Sequence, residues 1–383
     1  MLASYARRGV RLAAARCRPL PHGCGVTGAG WTSARASLSA SLAWAPQRRC
    51  CSPGAGPEGR VQLKTPDVIP LHPFNLEVLR GMGQVVFCNS VLTGALATAG
   101  LAIGDPRLAG LALLGCGSAT ATARYCGLDA SRLAAGLYGY NGALVGCAFS
   151  VFLLAPLAVA ALAACAGGAV TALAADRLGG VLGRVPQFTL AFNVVALAAL
   201  AVRRPLVYVE PVGKPMSFWS LDPLDWLDAL LAGVSQIYVV NSSYAGALIL
   251  FGIATYSPLA AAFTLTGSGI GAVSAIFAGG DPDDVVAGLW GFNPALTALA
   301  VSVFFVPMGY PYVLLACGGA VAAAAATVAA KAAIGTALHA PALTLPFCAV
   351  ATGCWLLAGR VPNLVLARVP HSPEVNLAAH RGY

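Results

Sequence analysis

The stretch QVVFCNSVLTGALATAG at 84–100 occurs twice in this chain: from 236 the sequence reads QIYVVNSSYAGALILFG. Gln84 to Gly146 aligns with Gln236 to Ala298 at a constant offset of 152 residues, without a gap, and 23 of the 63 positions are identical. Pro106 falls on Pro258, Gly115 and Gly117 on Gly267 and Gly269, and Asp129 on Asp281. AAGLYGYNGALVG (134–146) falls on VAGLWGFNPALTA (286–298), and PQFTLAFN (186–193) falls on PALTLPFC (341–348) at an offset of 155. Two copies of one unit must each satisfy the same fold, so the duplication limits every other reading.

Each copy is too apolar for water. The chain is 58% hydrophobic and 10% charged, where a soluble domain carries about 25% charged residues. The apolar stretches 94–202 and 233–358 hold several runs near the ~20 residues that cross a bilayer. These features predict an all-α polytopic membrane protein. The net charge of +9 is concentrated at one end: residues 1–57 hold eight Arg and no acidic residue, and the remainder sums to +1. No general basic surface is left for nucleic acid. The twelve Cys form no CxxC and no Cys/His cluster, which points to buried thiols and to no metal or other cofactor.

Residues 1–57, rich in Arg, Ser and Ala, read as an organellar transit peptide, a disordered tail or an over-extended reading frame. Residues 58–205 form the first repeat. Pro66, Pro70 and Pro73 hold off any long helix before Phe74; a short re-entrant or interfacial helix over 75–87 precedes spans near 91–104, 107–124, 133–154, 156–175 and 186–202. A proline- and aromatic-rich connector, 206–225, suits the membrane interface. The second repeat, 226–368, follows the same plan: a short helix near 226–239, then spans near 243–256, 258–278, 285–306, 311–330 and 341–358. A polar tail, 369–383, lies outside the bilayer. Five spans per copy, an odd number, turn the second copy upside down relative to the first. Inverted repeats place a substrate path at their interface.

Several polar residues recur in matching places. Gln84 and Gln236 sit in apolar surroundings. An unpaired amide there costs roughly 2–7 kcal/mol, so each needs a partner, either neighbouring backbone or a path. Tyr140 with Leu144, and Phe292 with Leu296, share an i, i+4 helical face that serves a core or a path equally. Thr189 and Thr344, beside Phe192 and Phe347, either bond back to the helix carbonyl at i−4 or line a midplane site. Asn141 and Asn293 suit backbone groups freed at helix ends. Lys331 can snorkel from a helix end. No span carries a convincing ionic pair, carboxylate relay or His, and Asp105, Asp129, Asp281, Asp283 and Asp284 fall in loops. A neutral polar cargo moving without a coupling ion is expected. HExxH, GxSxG and P-loop patterns are absent, and TGSGIG (266–271) lacks a nucleotide-binding context, so an enzyme is not expected. Asn241-Ser-Ser matches a glycosylation acceptor but falls in the expected pore region.

LRGMGQVVFCNSVLTG, GLYGYNGALVG, QFTLAFN, GVSQIY, GLWGFNPAL and LTLPFC together resemble the channel-type urea transporter family, over about Leu71 to Arg368. The resemblance implies two inverted five-helix repeats, each with one re-entrant pore helix, one pore per protomer and a homotrimer in the bilayer. It implies passive passage of urea through a flat slot edged by a ladder of oxygens. By motif match the substrate pathway takes Gln84 and Gln236 as pore-helix polar positions, with Ile237 beside the second. Phe87, Tyr140 and Phe292 match slot aromatics, Leu144 and Leu296 slot aliphatics, and Thr189 and Thr344 the midplane threonines. A plasma membrane is the implied location, with an organellar membrane as the alternative raised by the N-terminal extension. The chain departs from the family pattern where Asn89-Ser90-Val91 and Asn241-Ser242-Ser243 replace Asn-Pro turns, where Ala191 replaces Pro, where Val239 stands opposite Phe87, and where Tyr140 adds a hydroxyl to a position often filled by Phe. Missing prolines imply looser pore-helix turns and a more continuous first broken helix. Another small neutral solute (water, ammonia, a short amide) and a non-transporting scaffold are the alternative functions.

Overall fold

The computed structural model describes residues 71–203 and 221–382. The N-terminal extension, the linker after it and most of the connector lie outside the described residues. Seven helices come first: α1 (Pro73–Gln84), α2 (Val91–Gly104), α3 (Pro106–Tyr125), α4 (Ala130–Ala134), α5 (Gly139–Phe152), α6 (Leu157–Leu182) and α7 (Leu190–Arg203). Seven more repeat their order: α8 (Pro223–Ser235, extended by a 3-10 turn Gln236–Tyr238), α9 (Ser243–Tyr256), α10 (Pro258–Ala278), α11 (Pro282–Val286), α12 (Phe292–Phe304), α13 (Gly309–Leu338) and α14 (Leu345–Leu356). A last helix, α15 (Pro373–Arg381), follows. Among the described residues, β pairing is limited to one bridge, Phe305 with Leu366.

The repeated order has local causes. Ser90 Oγ accepts from the Thr93 N–H at 3.2 Å and Ser242 Oγ from the Ala245 N–H at 3.2 Å, starting α2 and α9. Asp105 and Ser257 cap α3 and α10 in the same way, each followed by a proline at the first helical position. Asp129 and Asp281 cap α4 and α11. Such caps are worth about 1 kcal/mol each. Ser90 and Ser242, where looser turns were expected, thus each fix the start of the helix that follows.

Helix boundaries differ from expectation where the backbone turns left-handed. The spans expected at 133–154 and 285–306 each break in two, at Gly136 (φ +75°) and Gly288 (φ +74°). Spans expected to start at 186 and 341 start four residues later, because Phe188 (φ +46°) and Leu343 (φ +50°) cannot be helical. The first of these breaks is present despite Ala191 replacing Pro. Two ion pairs involve the short helices α1 and α11: Glu77 on α1 accepts two bonds of 2.8 Å from Arg124 in the last turn of α3, and Lys331 on α13 lies 3.4 Å from Asp284, which with Asp283 falls in α11 and not in the expected loop.

Among the described residues, α6, α10 and α13 are each long and apolar enough to cross a membrane, and α8 with α9 does so as a pair bent by 75°. The apolar helices of 12–14 residues reach about 18–21 Å, short of a ~30 Å hydrocarbon core. Within the first copy α3 packs against α5 and α6; within the second α10 packs against α12 and α13; α2 against α9 joins them. Thr93 Oγ1 donates to the Gly252 carbonyl across that joint at 2.8 Å. Outward faces carry large apolar side chains, Leu154 at 83% and Phe277 at 88% exposure, while small residues fill the helix contacts. That reversal suits lipid as the surrounding solvent.

The C-terminal segment is tied down. Asn376 Nδ2 donates to the Val303 carbonyl at 2.7 Å, and Glu374 accepts from the Ser257 hydroxyl and the Leu259 N–H. Burial pushes the Glu374 carboxyl up, but these hydrogen bonds outweigh it and hold it below the usual range. Burial of His371 against Tyr256 lowers its affinity for a proton, with Glu374 opposing. Both groups have depressed folded values, so both support docking at neutral pH and withdraw it as pH falls. Docking of α15 is expected to weaken first below the ordinary His value of 6.5 and again below the ordinary Glu value of 4.5. Hydrogen exchange over Ser372–Arg381, corrected for intrinsic rate, checks this, and Glu374→Gln should remove the lower step.

Candidate substrate pathway

The turns that end α1 and α8 place residues in an unusual backbone conformation. Phe87 has φ +57° and its counterpart Val239 φ +61°. Left-handed backbone at a bulky or β-branched residue costs roughly 1–3 kcal/mol and gathers at functional sites. The first turn is held by the Cys88 N–H donating to the Gly83 carbonyl at 3.0 Å, the second by Ser235 Oγ donating to the Val240 carbonyl at 2.7 Å. The paired glutamines anchor the same ends. Gln84 Nε2 donates to the Ala135 carbonyl and Gln236 Nε2 to the Ala287 carbonyl, each at 2.9 Å. The amides, buried at Gln84 and half-buried at Gln236, thus find backbone partners at the breaks preceding α5 and α12.

At the centre the two copies touch through Thr189 and Thr344, whose hydroxyl oxygens lie 2.7 Å apart, both buried. Each threonine directly follows a left-handed residue, Phe188 or Leu343. The hydroxyls therefore point to each other across the copies rather than back along their own helices. Asn141 and Asn293 satisfy freed backbone as expected: Asn141 Oδ1 accepts from the Phe192 N–H at 3.1 Å and Asn293 Oδ1 from the Phe347 N–H at 3.3 Å, in the first turns of α7 and α14.

One apolar cluster contains Tyr140, Leu144, Ile237 and Leu296, with Phe87 and Phe292 packed against it. Phe87 meets Phe188, Phe304 and Phe347 with ring centroids 6.3, 5.6 and 6.1 Å away. Phe188 and Phe304 were not singled out from the sequence. The repeat carried the signal for both: Phe188 pairs with Leu343, and the gapless alignment continued beyond Gly146 sets Phe152 on Phe304.

The pairing of the copies also explains Tyr140. In the second copy Asn293 Nδ2 donates to Thr327 Oγ1 and to the Leu343 carbonyl, both at 3.2 Å. In the first copy the matching carbonyl, that of Phe188, accepts from the Tyr140 hydroxyl instead. Asn141 Nδ2 is left without a partner among the described residues, and α6 offers only Ala175 where α13 has Thr327. The hydroxyl that Phe292 lacks thus does at Phe188 what an amide does at Leu343.

The statistical model of the urea transporter family matches residues 76–359. The chain belongs to this family. It is 31% identical over 321 residues to urea transporter 1 of Mus musculus, covering 78% of this chain and 81% of the mouse protein. Urea transporter 1 of Rattus norvegicus is 31% identical over 319 residues, with the same coverage, and that of Ovis aries is 30% identical over 309 residues, covering 75% and 78%. Within this urea transporter chain, the matched region takes in every helix from α2 to α14 and all ten candidate pathway residues.

Proposed function

We propose that this chain carries urea passively across a membrane, down its gradient, along a narrow path between its two copies. The observation that carries the reading is the Thr189–Thr344 contact, a pair of buried hydroxyls contributed by matching positions and bordered by strained backbone. Family membership and the names of the mouse, rat and sheep relatives support urea as the cargo. In this reading residues 58–205 and 226–368 are inverted repeats joined by 206–225, and α1 and α8 are re-entrant. Residues 1–57 and 369–383 lie outside the transport unit. Three copies assemble in the bilayer, each with its own path, and the plasma membrane is the proposed location.

The chemistry follows from the solute. Urea is flat and uncharged, with N–H donors on either side of one carbonyl. Thr189 and Thr344 accept from those donors and replace their water. Phe87, Tyr140, Leu144, Ile237, Phe292 and Leu296 provide apolar walls for the two flat faces. Gln84 and Gln236 hold the short helices that present the strained turns at Phe87 and Val239. An ion entering such a slot loses hydration that a few neutral oxygens cannot replace.

Val239→Phe tests the slot. Phe87 already adopts the same left-handed conformation at the matching position, so the backbone accepts the change. The substitution should narrow the second-copy wall and reduce acetamide flux more than urea flux in vesicles. Equal reduction would remove Val239 from the path. Thiourea should compete with urea for passage while leaving water permeability unchanged; failure to compete would count against a urea-shaped slot.

A further inference from the structure

Asn193 is fully buried in the first turn of α7 and bonds across to the other copy. Two of its partners fix the orientation of its amide. Oδ1 accepts from the Thr344 backbone N–H at 3.2 Å, and Nδ2 donates to the Thr189 carbonyl at 2.9 Å. A backbone N–H only donates and a carbonyl only accepts, so the flipped amide would set like against like twice. The remaining N–H of Nδ2 therefore goes to Thr344 Oγ1, at 2.9 Å.

That bond gives the threonine pair a direction. Thr344 Oγ1 accepts from Asn193 and sends its proton to Thr189 Oγ1, 2.7 Å away. Thr189 then sends its own proton to Cys348 Sγ, at 3.2 Å. In this order every N–H and O–H in the group has an acceptor within it, only the weaker Cys348 S–H is left over, and each threonine oxygen retains one lone pair. With the central bond reversed, Thr344 would accept twice and its proton would have no acceptor in the group. The repeat shows that the order runs one way: at the offset of 155, Asn193 falls on Cys348, and a thiol cannot both accept from a backbone N–H and donate twice.

We propose that Asn193 is a positioning residue that turns both midplane hydroxyls into acceptors, so that the path selects for solutes rich in N–H donors. The inference rests on the urea reading above and adds to it the source of its preference. A diamide meets lone pairs with its N–H groups, whereas a solute offering only acceptors meets no donor from Thr189 or Thr344.

The test uses the full chain in liposomes, with urea flux and water permeability measured on the same vesicles. Asn193→Cys places at 193 the residue that the second copy already accommodates at 348. It should lower urea flux about five- to tenfold, the weight of one hydrogen bond, and leave water permeability within about twofold. Asn193→Asp should give urea flux that rises as pH falls, because a protonated carboxyl can donate to the threonine pair and a carboxylate cannot; the wild type should show no such dependence. Parallel loss of urea and water in Asn193→Cys, or unchanged urea flux in it, would overturn the inference, as would pH-independent flux in Asn193→Asp. Wild-type vesicles that pass no urea would overturn the urea reading itself, and the inference with it.

Discussion

Gly94→Ala and Gly246→Ala should each prevent stable assembly of the membrane-embedded fold. The two glycines occupy matching positions in α2 and α9. A Cβ on Gly94 would collide with the Leu79 carbonyl of α1, and one on Gly246 with the Leu231 carbonyl of α8. Leu79 and Leu231 are themselves a matched pair. Both obstacles are helix backbone, so no side-chain rotation relieves the clash. The short helix must move away, and it carries Gln84 or Gln236 and the strained turn at Phe87 or Val239 with it. Overpacking of a core typically costs 1–3 kcal/mol when side chains can adjust; backbone against backbone should exceed roughly 3 kcal/mol. Yield of detergent-stable protein and its melting temperature check the result. Gly110→Ala, which meets nothing within 4 Å, is the matched control and should behave as wild type.

Replacing both midplane threonines should have the largest effect on transport in protein that still assembles. Thr189→Val and Thr344→Val keep shape and remove one hydroxyl each. With a net hydrogen-bond contribution of about 1 kcal/mol, each single change should slow urea flux roughly fivefold, and the double change about 30-fold. The two singles should differ in stability. Thr344→Val takes away the oxygen to which Asn193 Nδ2 donates and leaves a buried N–H unpaired, costing about 1–3 kcal/mol. Thr189→Val keeps both Asn193 N–H bonds and orphans only the Thr344 hydroxyl, a donor that can rotate, so it should melt closer to wild type. Stopped-flow flux with thermal denaturation on the same preparations separates the two effects. Unchanged flux in both singles would remove the threonines from the path.

Much of the helix plan was legible because the chain states it twice. The offset of 152 anticipated α2 with α9 and α3 with α10, and the caps at Ser90, Ser242, Asp129 and Asp281 are ordinary sequence signals, although the short helices that Asp129 and Asp281 start were expected to be loop. Helix breaks were less legible. Apolar runs continue through Gly136 and Gly288, and hydrophobic pattern does not report a left-handed dihedral at Phe188 or Leu343. Hydrophobic pattern likewise does not separate the helices of 12–14 residues from full spans. At the site, Gln84, Gln236, Thr189 and Thr344 stood out as repeated polar residues in apolar surroundings. Asn193 did not, because its counterpart is Cys348 and its partner Thr344 lies 151 residues away in sequence. The aromatic contacts of Phe188 and Phe304 depend on which way strained turns point their rings, which spacing alone does not determine.

The most direct measurement is stopped-flow urea efflux from liposomes holding the full chain, beside empty liposomes of the same lipid. A passive path between the two copies predicts fast urea flux that saturates weakly and is unaffected by sodium or a pH gradient. Flux equal to that of empty vesicles from correctly folded protein would contradict it, as would flux that needs an ion gradient.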